Sequence, residues 1–124
     1  MGVGVDIVEV ARVERALHRW GEAFQRRVFT EAEWEGAGAG RARARRLAGR
    51  FAAKEAVMKA LGWGWGRIGW HDIEVTNEHG GRPAARLSGA AAQLAKRAGV
   101  VRLHVSVSHG ELYATAMAVA EGEA

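Results

Sequence analysis

The stretch from Arg50 to Gly62 constrains the fold of this chain more than any other segment. It reads RFAAKEAVMKALG and consists almost entirely of strong helix formers, with a glycine just before it and another at its end. The apolar residues recur at the spacing of one helical face: Leu47, Phe51, Met58 and Leu61. The segment therefore predicts an amphipathic helix at about residues 47–61 that packs against a core.

Three cations, Arg50, Lys54 and Lys59, surround the single carboxylate Glu55 on this helix. Glu55 and Lys59 are four residues apart and therefore neighbours at the edge of the apolar arc. Lys54 falls close to the apolar positions, where a cation must extend to water or meet an anionic partner. The set is compatible with an ordinary helical ion pair, which contributes only about 0.2–0.5 kcal/mol. It is equally suited to a polyphosphate and its metal ion.

The first residues of the chain predict a β-strand that contains one carboxylate. Alternation separates two sets of side chains, with Val3, Val5 and Ile7 on one face and Gly4, Asp6 and Val8 on the other. We expect the first set to fill the core, which leaves Asp6 to be paired, hydrogen-bonded or metal-bound. Asp6 and Glu55 can then share a hard divalent cation, and Mg²⁺ characteristically takes one or two carboxylates together with phosphate oxygens and water.

Length and composition limit the class of protein. With 124 residues, of which 48% are hydrophobic, the chain is expected to form one domain over residues 1–124. The absence of cysteine excludes a disulfide framework or a thiolate metal site. No long apolar run and no basic leader followed by an apolar segment are present, so the sequence predicts a cytoplasmic protein without a membrane span.

Positive charge is concentrated in the first half of the chain. Residues 1–62 carry 12 Lys+Arg against 8 Asp+Glu, whereas residues 63–124 carry 6 against 6, and the net charge is +4. The run Arg41–Arg46 marks the peak and is interpreted as part of a loop at residues 36–46, either solvated or binding an acidic partner. Together with Trp63 and Trp65 it favours a rival hypothesis, a non-enzymatic RNA- or nucleotide-binding module. Such a module has no need for a carboxylate pair.

Helices and antiparallel strands alternate along the chain, so we predict an α+β fold with a mixed antiparallel sheet packed against helices. The predicted elements, in order, are a strand at 2–8, a helix at 10–20, a short helix opened by a Thr30–Glu33 capping box, the helix at 47–61, strands at 72–77 and 83–87, a helix capped by Ser88 and ending before Gly99, and strands at 102–108 and 112–119.

Five blocks in order resemble the bacterial holo-acyl-carrier-protein synthases, a class of 4′-phosphopantetheinyl transferases. The blocks are the opening Gly2–Val10 with Arg12-Val13, Phe29-Thr30-Glu31-Ala32-Glu33, Arg50–Gly62, Asp72–Val75 with Asn77, Gly81, Pro83 and Leu87-Ser88-Gly89, and His104–His109. The resemblance covers most of the chain, and five ordered blocks are far more specific than any one motif.

The resemblance implies an activity and a set of residues. Members of this family transfer the phosphopantetheine arm of coenzyme A to a serine of an apo-acyl carrier protein, with Mg²⁺ held by the carboxylates that correspond to Asp6 and Glu55. Lys59 would then neutralise the phosphate under attack. Arg50 and Lys54 would contact the nucleotide phosphates, although Lys54 can instead be a structural ion-pair partner of Asp6 or Glu9. The proton acceptor for the serine is left open between Glu55 and a metal-held water.

Further residues are assigned to coenzyme A in the same way. His109 would contact the 3′-phosphate or the adenine, and Ser108 could donate to a phosphate oxygen. Gly81 and Pro83 would also contact coenzyme A. The missing side chains of Gly80 and Gly81 would let backbone approach the base, although an ordinary turn also explains these glycines. For His109 the competing interpretation is a core or strand-edge histidine.

The resemblance also implies partners. Carrier proteins are acidic, so Arg12 on the first helix is the candidate docking residue. Family members form homotrimers with active sites between subunits. This chain departs from the family pattern at Trp63 and Trp65, where the alternatives are core anchors, a subunit contact or adenine stacking. A second rival is a structural subunit that binds only the carrier protein.

Overall fold

The computed structural model describes residues 1–62 and 68–123. Its strands are β1 (Gly2–Glu9), β2 (Ile73–Asn77), β3 (Pro83–Leu87), β4 (Val100–His109) and β5 (Tyr113–Gly122). Its helices are α1 (Val10–Trp20), α2 (Glu22–Val28), α3 (Glu31–Gly36), α4 (Arg41–Ala60) and α5 (Gly89–Arg97), and a 3-10 turn at Trp70–Asp72 precedes β2. The predictions for Trp63 and Trp65 lie outside the described residues.

The strands form two antiparallel sheets, which confirms the α+β class. One sheet has three strands in the order β1-β5-β4, and the other consists of β2 and β3. In the larger sheet β5 lies in the middle, so β1 and β4 are its two edges. Helix α1 and the β2–β3 pair lie where the sequence predicted them to within a residue or two, which is the usual uncertainty of element boundaries.

Helix α4 is the central element and packs across the larger sheet. All residues from 47 to 54 are buried, so this part of the helix is enclosed on every side rather than on one face. The helix also begins earlier than predicted, at Arg41. The interpretation of residues 41–46 as loop was wrong, because arginine and alanine are strong helix formers and a packed helix propagates into adjacent residues that favour it.

The backbone of α4 lies very close to β1. A Cβ atom at Gly4 would collide with the carbonyl oxygen of Ala56, and one at Gly2 would collide with that of Ala60. The middle strand presents only small side chains to the helix: Ala114, Ala116, Ala118 and Ala120, all buried. Glycine and alanine therefore set the distance between the helix and the sheet.

This contact reverses the predicted faces of β1. Val3, Val5 and Ile7 were expected in the core but are 59%, 53% and 62% exposed. The face that carries Gly4, Asp6 and Val8 packs against α4 instead. Hydrophobicity alone predicted the wrong core face for β1. The face that packs against the helix needs small residues because the helix is so close, and the more apolar face is left uncovered.

The predicted helix caps at Thr30 and Ser88 differ in outcome. The Thr30–Glu33 capping box is present, with the Thr30 hydroxyl accepting from Glu33 N at 3.2 Å and Glu33 accepting from Thr30 N at 2.8 Å. Ser88 precedes α5, but within the described residues its side chain makes no capping hydrogen bond. Helix α2 was missed, since Gly21 with φ of 54° separates it from α1 and its seven residues are too few for a clear periodic pattern.

Candidate functional site

Asp6 and Lys59 form a contact between the edge strand β1 and the end of α4. Lys59 Nζ donates to Asp6 Oδ1 at 3.1 Å and to the carbonyl oxygen of Val5 at 2.9 Å. The Asp6 side chain is only 13% exposed, whereas that of Lys59 is 54% exposed. Asp6 is thus largely shielded, and Lys59 stands at the boundary with solvent.

Glu55 lies one turn before Lys59 on α4 and completes the group. Burial raises the pKa of Glu55, and the charge of Asp6 raises it further. The charges of Lys59 and Arg12 lower the same pKa, so all four groups act on one another electrostatically. The structure therefore brings together the two carboxylates predicted to share a metal, and it places Arg12 of α1 near them.

The carboxylate pair, Asp6 and Glu55, fits a divalent cation that arrives with a substrate. Asp6 Oδ2 is buried and has no hydrogen-bond partner among the described residues. No cluster of three or more His, Cys, Asp or Glu side chains occurs within residues 1–62 and 68–123, so an all-protein metal cage is not present there. Two carboxylates leave coordination positions for phosphate oxygens and water, which is the arrangement that Mg²⁺ prefers.

A second group of predicted residues lines a cleft of about 510 Å³ beside the first half of α4. We call it the arginine cleft. Its lining residues are Gly36, Arg46, Arg50, Val75, Asn77, Gly81, Pro83, Val107 and His109. Arg50, Gly81, Pro83 and His109 were all predicted from the sequence to contact one ligand, and the structure brings them together. Gly81 has φ of 89°, in the left-handed region that favours glycine.

The arginine cleft is built to receive an anion. Its described lining includes two arginines and a histidine and no acidic side chain. Burial lowers the pKa of Arg50, the charge of Glu33 opposes this, and the neighbouring charge of Arg46 lowers the pKa further. Arg50 is 8% exposed, and its buried Nε has no hydrogen-bond partner in the part of the chain that the structure describes. A phosphate would both satisfy this donor and relieve the repulsion between the arginines.

Lys54 does not belong to either group, which corrects its assignment to nucleotide phosphates. Its side chain is fully buried, and Nζ lies 2.8 Å from Glu33 Oε1. Nζ also donates to the carbonyl oxygens of Trp70 at 2.7 Å and Ile73 at 2.6 Å, which uses all three of its donors. The alternative of a structural ion pair is right, but its partner is Glu33 and not Asp6 or Glu9.

Ser108 is also absent from the described lining of the cleft. Val107 and His109 both face the cleft, so the residue between them points to the opposite side of the sheet. Ser108 is exposed there and pairs with Thr115 in the register of β4 and β5. A contact between Ser108 and a ligand in this cleft is therefore not supported within one protomer.

The roles of three residues, Arg46, Asn77 and Glu33, were not predicted from the sequence. Arg46 could have been found, because it lies one helical turn before Arg50 once the helix is extended to residue 41. Asn77 belongs to the predicted hairpin but was given no role. Glu33 was interpreted only as a capping residue, and nothing in the sequence links it to Lys54, 21 positions away.

The basic run at Arg41–Arg46 is partly engaged within the protein. Arg43 Nε donates to the Gly38 carbonyl oxygen at 2.6 Å, and its guanidinium carbon lies 4.5 Å from the centroid of the Trp34 ring. Arg46 donates to the Ala37 carbonyl oxygen at 3.3 Å. These contacts hold Arg43 and Arg46 against the turn before α4. Among the described helices, none is long and apolar enough to cross a lipid bilayer.

The carboxylate pair and the arginine cleft lie at opposite edges of the larger sheet. Asp6 is on edge strand β1 and pairs with Ala116 of β5, which in turn pairs with Val107 of edge strand β4, beside the cleft. Between the two edges, the middle strand β5 presents buried Ala114, Ala116 and Ala118 to α4. Within one protomer, packed core separates the two groups.

Comparison with known proteins matches this geometry to one family. Residues 2–118 match the model of the 4′-phosphopantetheinyl transferase superfamily. The holo-[acyl-carrier-protein] synthase of Koribacter versatilis is 47% identical over 122 residues, with 98% of each chain covered. That of Moorella thermoacetica is 50% identical over 118 residues, with 95% of this chain and 91% of the relative covered. A crystal structure of Helicobacter pylori holo-[acyl-carrier-protein] synthase in complex with coenzyme A superposes with a TM-score of 0.85 at 29% identity, covering 96% of this chain and 99% of that one.

Proposed function

The chain belongs to the 4′-phosphopantetheinyl transferase superfamily, and we propose that it is a holo-acyl-carrier-protein synthase. It transfers the 4′-phosphopantetheine group of coenzyme A to a serine of an apo-acyl carrier protein. The products are the holo-carrier protein and adenosine 3′,5′-bisphosphate. The observation that carries this function is the near-complete match to synthases of this activity, together with an anion cleft and a carboxylate pair at the sites expected for coenzyme A and a metal.

The arginine cleft is assigned to the nucleotide end of coenzyme A. Arg50 and Arg46 supply charge-assisted donors to a phosphate, with His109 beside them. The positive φ of Gly81 and the missing side chain let the hairpin backbone approach the base. The likeness to a structure solved with coenzyme A supports this assignment.

The carboxylate pair is assigned to the pyrophosphate and to Mg²⁺. When bound, the cation would withdraw charge from the phosphate oxygens and so stabilise the charge that develops in the transition state. Asp6 and Glu55 would hold it, and the unpartnered Asp6 Oδ2 supports this choice. Lys59 neutralises charge on the same phosphates from the solvent side, where its side chain is 54% exposed.

The transfer itself makes one bond and breaks one. The serine oxygen attacks the phosphorus that carries the pantetheine arm, and the bond from that phosphorus to the bridging oxygen breaks. The bridging oxygen leaves with adenosine 3′,5′-bisphosphate, and the serine proton must be accepted. Its acceptor is either Glu55 or a water molecule at the carboxylate pair.

The acidic carrier protein is assigned to the side of the molecule that carries Arg12. Arg12 is exposed on α1 and acts electrostatically on Glu55, so a carrier bound there would bring its serine to the carboxylate pair. A broad hollow of about 1110 Å³ runs beside residues 14–20 of the same helix. It is lined by that helix alone, which makes it an open surface suited to a protein rather than a cavity for a small molecule.

The active form is assigned as a homotrimer with sites between subunits. The face of the larger sheet that points away from α4 carries exposed apolar side chains, namely Val3, Val5, Ile7, Tyr113 and Met117. Val5 and Met117 are directly paired across β1 and β5, so these residues form one patch. Soluble monomers rarely leave such a patch uncovered. An interface there would also let the cleft of one protomer meet the carboxylate pair of the next.

Intact-mass spectrometry of an apo-acyl carrier protein tests the activity. The carrier is incubated with this protein, coenzyme A and Mg²⁺, beside a control with chelator. A Mg²⁺-dependent gain of one phosphopantetheine on the carrier is expected. Coenzyme A binding without any mass gain on several carriers would overturn the enzyme assignment and favour a subunit that only binds carrier protein.

A further inference from the structure

Glu33 and Lys54 form a fully buried ion pair that joins three elements. Glu33 Oε1 accepts from Lys54 Nζ at 2.8 Å and from Thr30 N at 2.8 Å, and its Oε2 accepts from Val75 N at 2.7 Å. Lys54 Nζ donates to the Ile73 carbonyl oxygen at 2.6 Å. The pair therefore connects α3, α4 and β2 through a single set of hydrogen bonds.

The pair takes the place of a neighbouring strand at the outer edge of β2. In an extended strand the carbonyl of one residue and the N–H two positions later point to the same side, where an adjacent strand would bond them. Here Ile73 O is bonded by Lys54 and Val75 N by Glu33. Because β2 and β3 are a two-stranded sheet with no ladder to the larger sheet, and such a sheet is marginal alone, these bonds anchor it to α4.

Each element that the pair joins contributes to the arginine cleft. Gly36 lies three residues after Glu33 on α3, and Arg50 lies one turn before Lys54 on α4. Val75 is bonded directly, and its strand continues to Asn77 and the hairpin that bears Gly81 and Pro83. The width of the cleft is therefore the distance that the pair holds between α4 and β2.

Stability alone does not account for this pair. Burial lowers the pKa of Lys54 against the opposing charge of Glu33, which shows the desolvation that the charged form bears. Well-packed neutral side chains are generally as stable as a buried ion pair. Apolar side chains would fill the space but could not bond Ile73 O and Val75 N, and so could not fix the position of β2.

We propose that Glu33 and Lys54 are positioning residues for nucleotide recognition, which set the spacing between Arg50 and the β2–β3 hairpin. The proposal rests on the proposed function of the cleft. Neither side chain touches the ligand. The ligand class concerned is a nucleotide bisphosphate, the adenosine end of coenzyme A.

The test compares Glu33→Gln, the charge-free double variant Glu33→Gln/Lys54→Met, and Glu22→Gln as control. Glu22→Gln makes the same chemical change in an exposed ion pair, in which Glu22 Oε2 lies 3.5 Å from Arg26 Nη2. Calorimetry gives the Kd for adenosine 3′,5′-bisphosphate, and transfer kinetics give KM and kcat. Since displacements of about 1 Å can cost about a hundredfold, the double variant should raise both Kd and the KM for coenzyme A by about tenfold or more. The KM for the carrier protein and kcat at saturating coenzyme A should change little.

The outcomes separate this proposal from the proposed function. A folded double variant with unchanged Kd and KM overturns the positioning role, even if its unfolding midpoint falls. If the double variant does not fold, Glu33→Gln decides by the same readouts, with a rise of a few-fold expected. If the wild-type protein binds the bisphosphate but does not transfer the group, the enzyme assignment is overturned. The positioning role is then tested by the Kd of the variants alone. Wild-type protein that neither binds nor transfers overturns both.

Discussion

Asp6 and His109 lie on the two opposite edge strands of one three-stranded sheet, and α4 packs across the sheet between them. Both side chains are on the side of the sheet that α4 covers, yet buried alanines fill the space that separates them. In the homotrimer proposed above, a coenzyme A molecule would bridge the carboxylate pair of one protomer and the arginine cleft of the next.

Mixing two inactive variants tests this arrangement. Asp6→Ala disables the carboxylate pair and Arg50→Met disables the cleft, and each variant alone should be inactive. After co-refolding in equal amounts, random assembly should restore about a quarter of wild-type activity, because one site in about four receives both intact halves. Transfer is followed by mass spectrometry of the carrier. No recovery in verified mixed oligomers would place both halves of the site in one chain.

Asp6→Ala alone should abolish Mg²⁺-dependent transfer and leave the fold intact. A metal's stabilisation of transition-state charge is worth several kcal/mol, so the loss should be about a hundredfold or more. The substitution removes one ion pair, whose Lys59 side chain is 54% exposed, so the protein loses little stability on truncation. Circular dichroism checks the fold, and Mg²⁺ should raise the Tm of wild type but not of the variant. Full activity in Asp6→Ala would sink the metal assignment.

Glu55→Gln should stabilise the metal-free protein at neutral pH. Burial and the charge of Asp6 raise the pKa of Glu55 in the folded state above its ordinary value of 4.5. Folding is then opposed progressively as pH rises from the unfolded pKa through the folded pKa, and the loss persists above it. Thermal unfolding in chelator should show a higher Tm for Glu55→Gln at pH 7, with the gap closing below about pH 4. An equal or lower Tm at pH 7 would contradict the raised pKa.

Met117→Lys should dissociate the oligomer without unfolding the protomer. Met117 is 48% exposed in the middle of the apolar sheet face, so lysine is tolerated in a monomer but costs several kcal/mol when buried in an interface. Sedimentation velocity should show monomers, and transfer activity should fall with assembly. Trp20→Lys is the matched control for the oligomeric state alone, because Trp20 is 58% exposed on α1, a helix that packs against α4. If Met117→Lys keeps the wild-type oligomer, the interface is elsewhere.

Gly4→Ala should destabilise the protein strongly, since its Cβ would meet the Ala56 carbonyl oxygen and force α4 away from β1. Overpacking of this kind typically costs about 1–3 kcal/mol. Gly110→Ala is the control, because a Cβ at Gly110 meets no described atom within 4 Å. Urea unfolding of both variants measures the difference. Equal midpoints would show that the helix can shift without cost.

The sequence predicted the site better than it predicted the packing. Glu55 and Lys59 share a helical face because they are four residues apart, and Arg50 lies on the same helix. Helical periodicity was therefore sufficient to predict the relative positions of these three residues. The meeting of Asp6 with Glu55 depends on tertiary structure. It was inferred because a carboxylate within a β-branched strand needs a partner, and the motif resemblance agreed with it. The predicted face of β1 was wrong because hydrophobicity does not show that the face against a close helix needs small residues.

The assignments of Lys54 and Ser108 failed for a different reason. Lys54 was assigned to phosphates from its place in the family motif, and its true partner Glu33 is distant in sequence. Ser108 was assigned to a phosphate oxygen, although it lies on the face of the strand opposite to His109, which lines the cleft. The beginning of α4 was missed because the loop predicted from the glycines at 36–40 was continued to residue 46.

The contact of α4 with the larger sheet also has a thermodynamic consequence. It is lined by glycine and alanine, which lose essentially no side-chain entropy on folding. Few of its side chains have rotamers that could adjust to a displaced helix. The relative position of Asp6 and Glu55 is therefore set by backbone geometry alone, so the carboxylates are pre-organised for their ligand as soon as the chain folds.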